Sequence, residues 1–220
     1  MKTKSILFFI LLFNSTCFFS QSISFGVKAG LNLSNQNFEY DERYEDISTT
    51  TSFSTLIHIG LYSHIPFSQK IGFQPEILYS REGSKIRLSG FGDLSKSLEK
   101  MDFQPKTLQS SLDFKQTVSY INVPLLLSIK PFNNRFSILT GPQLGFLVKD
   151  EINIDIDDGD GVDTEFKSFS FSGVIGMNYE ILKGLSLGAR YNFGLSNVSK
   201  EVIGTIKNNT FQIYLGYKLY

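Results

Sequence analysis

The 220-residue sequence has no tryptophan, one cysteine, six prolines and a charged fraction of 19% that sums to zero. Each shortage excludes something. A chain with no net positive field has no electrostatic footing for nucleic acid, and no acidic tract marks a solvating tail. Past the first twenty residues no apolar run approaches the roughly 18 residues that a membrane-spanning helix needs. If the chain crosses a membrane, it does so as strands. The early run Ile6 to Phe13, preceded by Lys2 and Lys4, is too short for a spanning helix and reads as a secretory signal. Cleavage after Ser20 assigns residues 1–20 to the signal and 21–220 to one domain, while cleavage after Cys17 better satisfies the small-residue rule. Either cut removes Cys17, so the mature chain has no disulfide, no cysteine-based zinc site and no catalytic thiol. A lipidated Cys17 is disfavoured because Asn14 stands where an aliphatic residue is expected.

What is present is alternation. In Ile23 to Ser34, the residues Ile23, Phe25, Val27, Ala29, Leu31 and Leu33 fall on one face and Ser24, Gly26, Lys28, Gly30, Asn32 and Ser34 on the other. Successive side chains of a strand point to opposite faces, so this is a strand with one apolar and one polar side. The same period recurs in Phe53 to Ile65, Ile71 to Ser80, Val118 to Lys130, Phe136 to Val148, Ser168 to Ile181, Leu185 to Leu195 and Phe211 to Leu219. Pro75 cannot donate to a ladder and predicts a local kink in the third strand. The connections alternate between long and short. Tight turns stand at FSQK, PFNNR and LKG, and the other connections are long polar stretches.

Eight strands of such lengths are near the roughly 9 to 11 residues that a tilted strand needs to cross a bilayer. Alternation alone does not separate a membrane barrel from a soluble one around an apolar cavity. Charge placement does: Lys28, Glu76, Glu180, Arg190 and Lys218, with His58 and His64, all lie on the polar face, and the apolar face carries no charge. A lipid-facing Lys or Arg near the midplane costs about 2 to 4 kcal/mol, so this asymmetry is expected of a sheet whose apolar face meets lipid. The expected fold is all-β: an eight-stranded antiparallel transmembrane β-barrel with an N-terminal signal peptide. Closure leaves no exposed edge, and an even strand number puts both termini and the short turns on the periplasmic side, with four long loops outside the cell.

The signal ending in FFSQ, the strand FGVKAGLNLS, the run YINVPLLL, the strand GPQLGFL and the ending LGYKLY together resemble the PorT-like outer-membrane β-barrel family. The resemblance covers nearly all the mature chain. It implies an eight-stranded barrel in the bacterial outer membrane, in a broad family whose namesake is tied to a secretion system and with which no catalytic motif travels. The terminus departs from the usual barrel-assembly signal, because Lys218 stands two residues before the terminal aromatic Tyr220.

An eight-stranded barrel has room inside only for packed side chains. Lys28, Glu76, Glu180, Arg190 and Lys218 are therefore expected to form an ion-pair network across the lumen, since buried charges are tolerated only when paired. His58 and His64, about 20 Å apart along one strand, cannot share a metal. The loop residues Asp155, Asp157, Asp158, Asp160 and Asp163, with Gly159 and Gly161, offer oxygen ligands of the kind calcium takes, but Gly159 breaks the EF-hand register and a solvated acidic loop is the plainer reading. No nucleophile motif or phosphate-binding glycine loop appears, so no enzyme and no cofactor is expected. The expected role is structural, in assembly, or in surface interaction. Its expected partners are outer-membrane lipid, the barrel assembly machinery during insertion, and a protein met through the extracellular loops. The alternatives are a narrow pore or ligand-binding barrel using the Glu/Arg/Lys lumen, and a soluble lipocalin-like carrier.

Overall fold

A computed structural model of the protein describes residues 22–40, 48–89, 111–132, 135–154, 166–199 and 204–219. Eight antiparallel strands, β1 (Ser24–Tyr40), β2 (Ser48–Pro66), β3 (Ile71–Ser89), β4 (Ser111–Ile129), β5 (Phe136–Ile154), β6 (Phe169–Leu182), β7 (Leu185–Gly194) and β8 (Gly204–Lys218), close into a barrel. Each strand pairs with its neighbours in sequence. The seam joins β1 to β8 from Gly26↔Lys218 to Tyr40↔Gly204, and the Leu219 N–H donates to the Phe25 carbonyl at 2.8 Å. The predicted signal, residues 1–20, lies outside the described residues, as do Asp155, Asp157, Asp158, Asp160 and Asp163.

The apolar face is on the outside. Ile59, Ile77 and Ile213 are 57%, 59% and 45% exposed, whereas Asn32, Ser80 and Gln212, on the opposite face, are fully buried. A soluble barrel carrying an apolar ligand would need the reverse arrangement, so the lipocalin-like alternative is overturned. The outward row is dominated by aliphatic and aromatic side chains and is suited to hydrocarbon.

Several strands run further than the alternation predicts, always toward the long connections. β3 continues past Ser80 to Ser89, β4 begins at Ser111 rather than Val118, and β5 reaches Ile154 rather than Val148. The ladder there is still paired, Glu82↔Val118 and Ser84↔Gln116 among others. Backbone hydrogen bonds hold these extensions together, but a strand that has left the bilayer need not be apolar on its outer face, so the periodicity fades before the strand does. Pro75 does not shift the register: Tyr62↔Glu76 and Ile65↔Phe73 belong to one frame. The irregularities occur between Phe53 and His58, between Ser119 and Tyr120, and between Glu180 and Leu182.

The short turns are tight. The Ser68 hydroxyl accepts from the Lys70 and Ile71 N–H groups, and Gly184 has a φ of +87°, a left-handed conformation that favours glycine. Within the lumen, glycines make room for rings. A Cβ at Gly188 would run into the Tyr214 ring, and one at Gly26 into the Tyr62 ring.

The interior is not polar throughout. Leu126, Leu139 and Val174 form a small buried apolar cluster on β4, β5 and β6. A second cluster, Val118, Tyr120, Phe166 and Val198, with Leu147 and Ile206 against it, lies toward the long connections. Phe166 and Val198 come from segments that precede β6 and follow β7, and a bridge between Phe166 and Ser199 ties the two segments together.

Candidate functional site

The lumen at mid-depth is filled by a charged cluster supplied from across the barrel. Lys28 on β1, Glu76 on β3 and Arg190 on β7 each point inward because each occupies the polar register of its strand. The Lys28 Nζ donates to Glu76 Oε1 at 2.5 Å, and Arg190 Nη1 donates to Oε2 of the same carboxylate at 2.8 Å. Gln74 Nε2 donates to Oε1 as well, at 2.7 Å. All three charged side chains are essentially inaccessible. Taking charges out of water is costly unless they are paired and their hydrogen-bonding capacity is met, and the carboxylate here has a donor on each oxygen.

One carboxylate faces two cations. Part of the positive excess is taken up by ring faces. Lys28 Nζ lies 4.3 Å from the Tyr214 ring centroid and 5.2 Å from that of Tyr62, and the Arg190 guanidinium lies 5.7 Å from Tyr214. Such cation–π contacts contribute about 0.5 to 2 kcal/mol, more when desolvated. Gly188 and Gly26, which leave space for those two rings, thus serve the charge cluster indirectly.

From the cluster a chain of hydrogen bonds runs along the lumen. Arg190 Nε donates to Gln212 Oε1, and Gln212 Nε2 donates to Asn32 Oδ1 at 2.7 Å. Asn32 Oδ1 also takes a bond from His58 Nδ1 at 2.7 Å, and Asn32 Nδ2 donates to Ser80 Oγ at 2.9 Å and to the Arg81 carbonyl at 2.7 Å. Ser80 Oγ and Asn122 Nδ2 then both donate to Glu82 Oε1, at 3.1 and 2.8 Å. Further toward the long connections, Ser34 Oγ meets Thr210 Oγ1 at 3.0 Å and accepts from the Gly83 N–H at 3.0 Å, while Gln36 bridges Ser84 and Asn208 at 2.9 and 3.0 Å. The lumen is packed side chain against side chain at this level, which is what an eight-stranded barrel leaves room for.

Of the five residues expected to form one network, the structure brings together Lys28, Glu76 and Arg190 and leaves out Glu180 and Lys218. Glu180 stands near the end of β6, where its Oε1 accepts from the Gly184 N–H at 3.2 Å, and Lys218 is exposed at the end of β8. Both lie at the short-turn mouth of the lumen. His58 belongs to the buried chain, whereas His64 lines the mouth. Sequence reading missed Asn32, Gln74, Gln212 and Glu82 as members. The first three are polar residues in the inward register of the alternation, and Glu82 lies past Ser80, where the alternation of the third strand ends but β3 does not. Among the described residues no group of His, Cys, Asp and Glu is arranged to hold a metal.

The mouth at the short-turn end contains a cavity of about 330 Å³ lined by His64, Lys70, Lys130, Glu180 and Lys218, with serines between them. An adjoining space of about 140 Å³ reaches inward to Tyr62, Gln74 and Asn178. The charged cluster forms its floor, since Gln74 and Tyr62 both touch that cluster.

The family model described as "Outer membrane protein beta-barrel domain" matches residues 19–200. The chain belongs to this outer-membrane barrel family. It is a small eight-stranded barrel of the bacterial outer membrane, and its outward apolar row faces lipid. No curated protein matches the sequence. Among solved structures, the barrel is similar to surface protein A of Neisseria, with 12% identity, a TM-score of 0.48 and coverage of 90% of this chain and 100% of that one. It is also similar to the outer membrane protein OprG of Pseudomonas aeruginosa, at 14% identity, TM-score 0.48 and coverage of 91% and 97%. A third, the attachment invasion locus protein Ail of Yersinia pestis, has 11% identity, TM-score 0.45 and coverage of 90% and 100%.

Proposed function

We propose that this outer-membrane barrel is a plugged scaffold, acting as a structural, assembly or surface-interaction component rather than as an enzyme or a channel. The observation that carries the reading is the Glu76 carboxylate held between Lys28 and Arg190, with Gln74, Tyr62 and Tyr214 packed around it at mid-lumen. A pore that passes ions or solutes needs a continuous aqueous path, and here the inward side chains of opposite strands bond to one another across the barrel. Specificity then falls to the long connections, because loops on a rigid barrel vary freely while the barrel itself is constrained by closure and lipid. The motifs FGVKAGLNLS, YINVPLLL and GPQLGFL carry the narrower resemblance to PorT-like barrels, and with it a proposed association with a secretion system. Insertion by the barrel assembly machinery, after removal of a signal within residues 1–20, belongs to the same proposal.

Planar-bilayer recording of the purified protein tests the plug directly. The expected result is no stepwise conductance for the wild type, with heat-modifiable migration on a gel showing that the barrel is folded. A steady conductance that Glu76→Gln alters would overturn the scaffold reading in favour of a narrow pore. Crosslinking on whole cells, followed by identification of the captured proteins, then asks whether the contact runs through the long connections.

A further inference from the structure

The lumen has an open end that the plug does not need. At the short-turn mouth Lys130, which follows the end of β4, and Lys218, the last residue of β8, line the cavity of about 330 Å³ together with His64 and Lys70. One carboxylate, Glu180, shares that wall, and it already accepts a bond from the Gly184 N–H. Among the described residues none of the three lysines has an ion-pair partner. Lysines placed for lipid anchoring would lie on the outer face. These three instead line the cavity at the mouth of the lumen, Lys70 from the β2–β3 turn, Lys130 from just past β4 and Lys218 from the end of β8.

We propose that this mouth is a dead-end anion site that takes a phosphate-bearing group on Lys130, Lys218 and His64. Three ammonium groups around one open-mouthed cavity repel one another, and a compact anion placed between them turns that repulsion into attraction. Lysine is a mobile point charge with three donors and suits the several oxygens of a phosphate. The hydroxyls of Ser24 and Ser128 line the same wall and supply neutral donors. The volume is at the lower end of small-molecule sites, enough for a phosphate with a small organic remainder such as a glycerol unit. The floor of Tyr62 and Gln74, backed by the buried cluster, stops the ligand from passing through. The site is therefore one of binding and not of transport, and it stands or falls independently of the role of the long connections.

Two sources present this chemistry, a water-soluble phosphomonoester and the headgroup of an anionic phospholipid. The full-length protein in an uncharged detergent is titrated with inorganic phosphate and with glycerol 1-phosphate at low ionic strength, by calorimetry and by the His64 ring resonances. Native mass spectrometry of the same preparation asks whether phosphatidylglycerol is retained and whether phosphate displaces it. Saturable binding that weakens at least tenfold in the Lys130→Gln, Lys218→Gln double variant is expected, with Lys85→Gln on the exposed face of β3 unchanged. Glu180→Gln should bind several-fold more tightly, since it removes the one like charge at the site. Retained and displaceable phosphatidylglycerol assigns the headgroup, and binding of the soluble compounds without retained lipid assigns the solute. Absence of saturable binding of every probe, or equal binding by the double variant, would overturn the site. If the double variant loses heat-modifiable migration, Glu180→Gln decides alone, and unchanged or weaker binding would count as refutation.

Discussion

The two ends of the lumen are built on opposite principles. Toward the long connections the interior holds an apolar cap, Val118, Tyr120, Phe166 and Val198, to which segments outside the strands contribute, beside the polar contacts of Gln36 with Ser84 and Asn208. Toward the short turns it opens into a vestibule lined by His64, Lys130 and Lys218, with Glu180 on the same wall. Between them sits the Lys28–Glu76–Arg190 cluster. The difference shows that a barrel of this size is not uniformly filled. The cap excludes water by burying carbon, the middle tolerates charge by pairing it, and the vestibule leaves charge solvated.

The largest effect is expected in the middle. Glu76→Gln removes the carboxylate that both cations share, and stranding paired charges in an interior costs about 3 to 5 kcal/mol. Urea unfolding from lipid vesicles should show a loss of that order, and a change under about 1 kcal/mol would mean that water reaches the cluster and the two ends are joined. Next comes the cap. Phe166→Ala deletes a ring that is 4% exposed, and such a deletion in a packed core costs about 3 kcal/mol or slightly more. The same unfolding measurement reads it, and hydrogen exchange should rise at Val198 and Ile206 while the Glu76 region stays protected. Val198→Ala, which removes two methylene equivalents from the same cluster, should cost about 1.5 kcal/mol. Exchange spreading from either cap variant into β1 and β3 at mid-depth would erase the distinction between cap and plug. The smallest effect belongs to the vestibule, where Lys130→Gln should change folding stability by no more than about 0.5 kcal/mol, as for most surface substitutions. A larger loss would mean that the lysine is part of the packed interior.

The inside and outside of this barrel were legible residue by residue. Ile59, Ile77 and Ile213 could be assigned outward, and Lys28, Glu76 and Arg190 inward, because strand parity is a local property. Depth was harder. Glu180 and Lys218 share the inward parity of Glu76 and were grouped with it, yet they stand at the ends of β6 and β8, while Lys28, Glu76 and Arg190 lie several residues into their strands. Counting from the short turns would have separated the two sets. The register shifts at Phe53/His58 and Ser119/Tyr120 left no comparable trace in the sequence, since they arise from how one strand settles against the next.

The sequence alone determined the all-β class, the number of strands, the face each side chain takes and the lipid that the outer face requires. These follow from alternation and charge placement, which are written into neighbouring positions along a single strand. The tertiary structure decided which charges meet, which end is capped and which is open. Strands in a closed barrel are tilted and staggered, so the depth of a residue depends on the register of all eight, and no single strand carries that information.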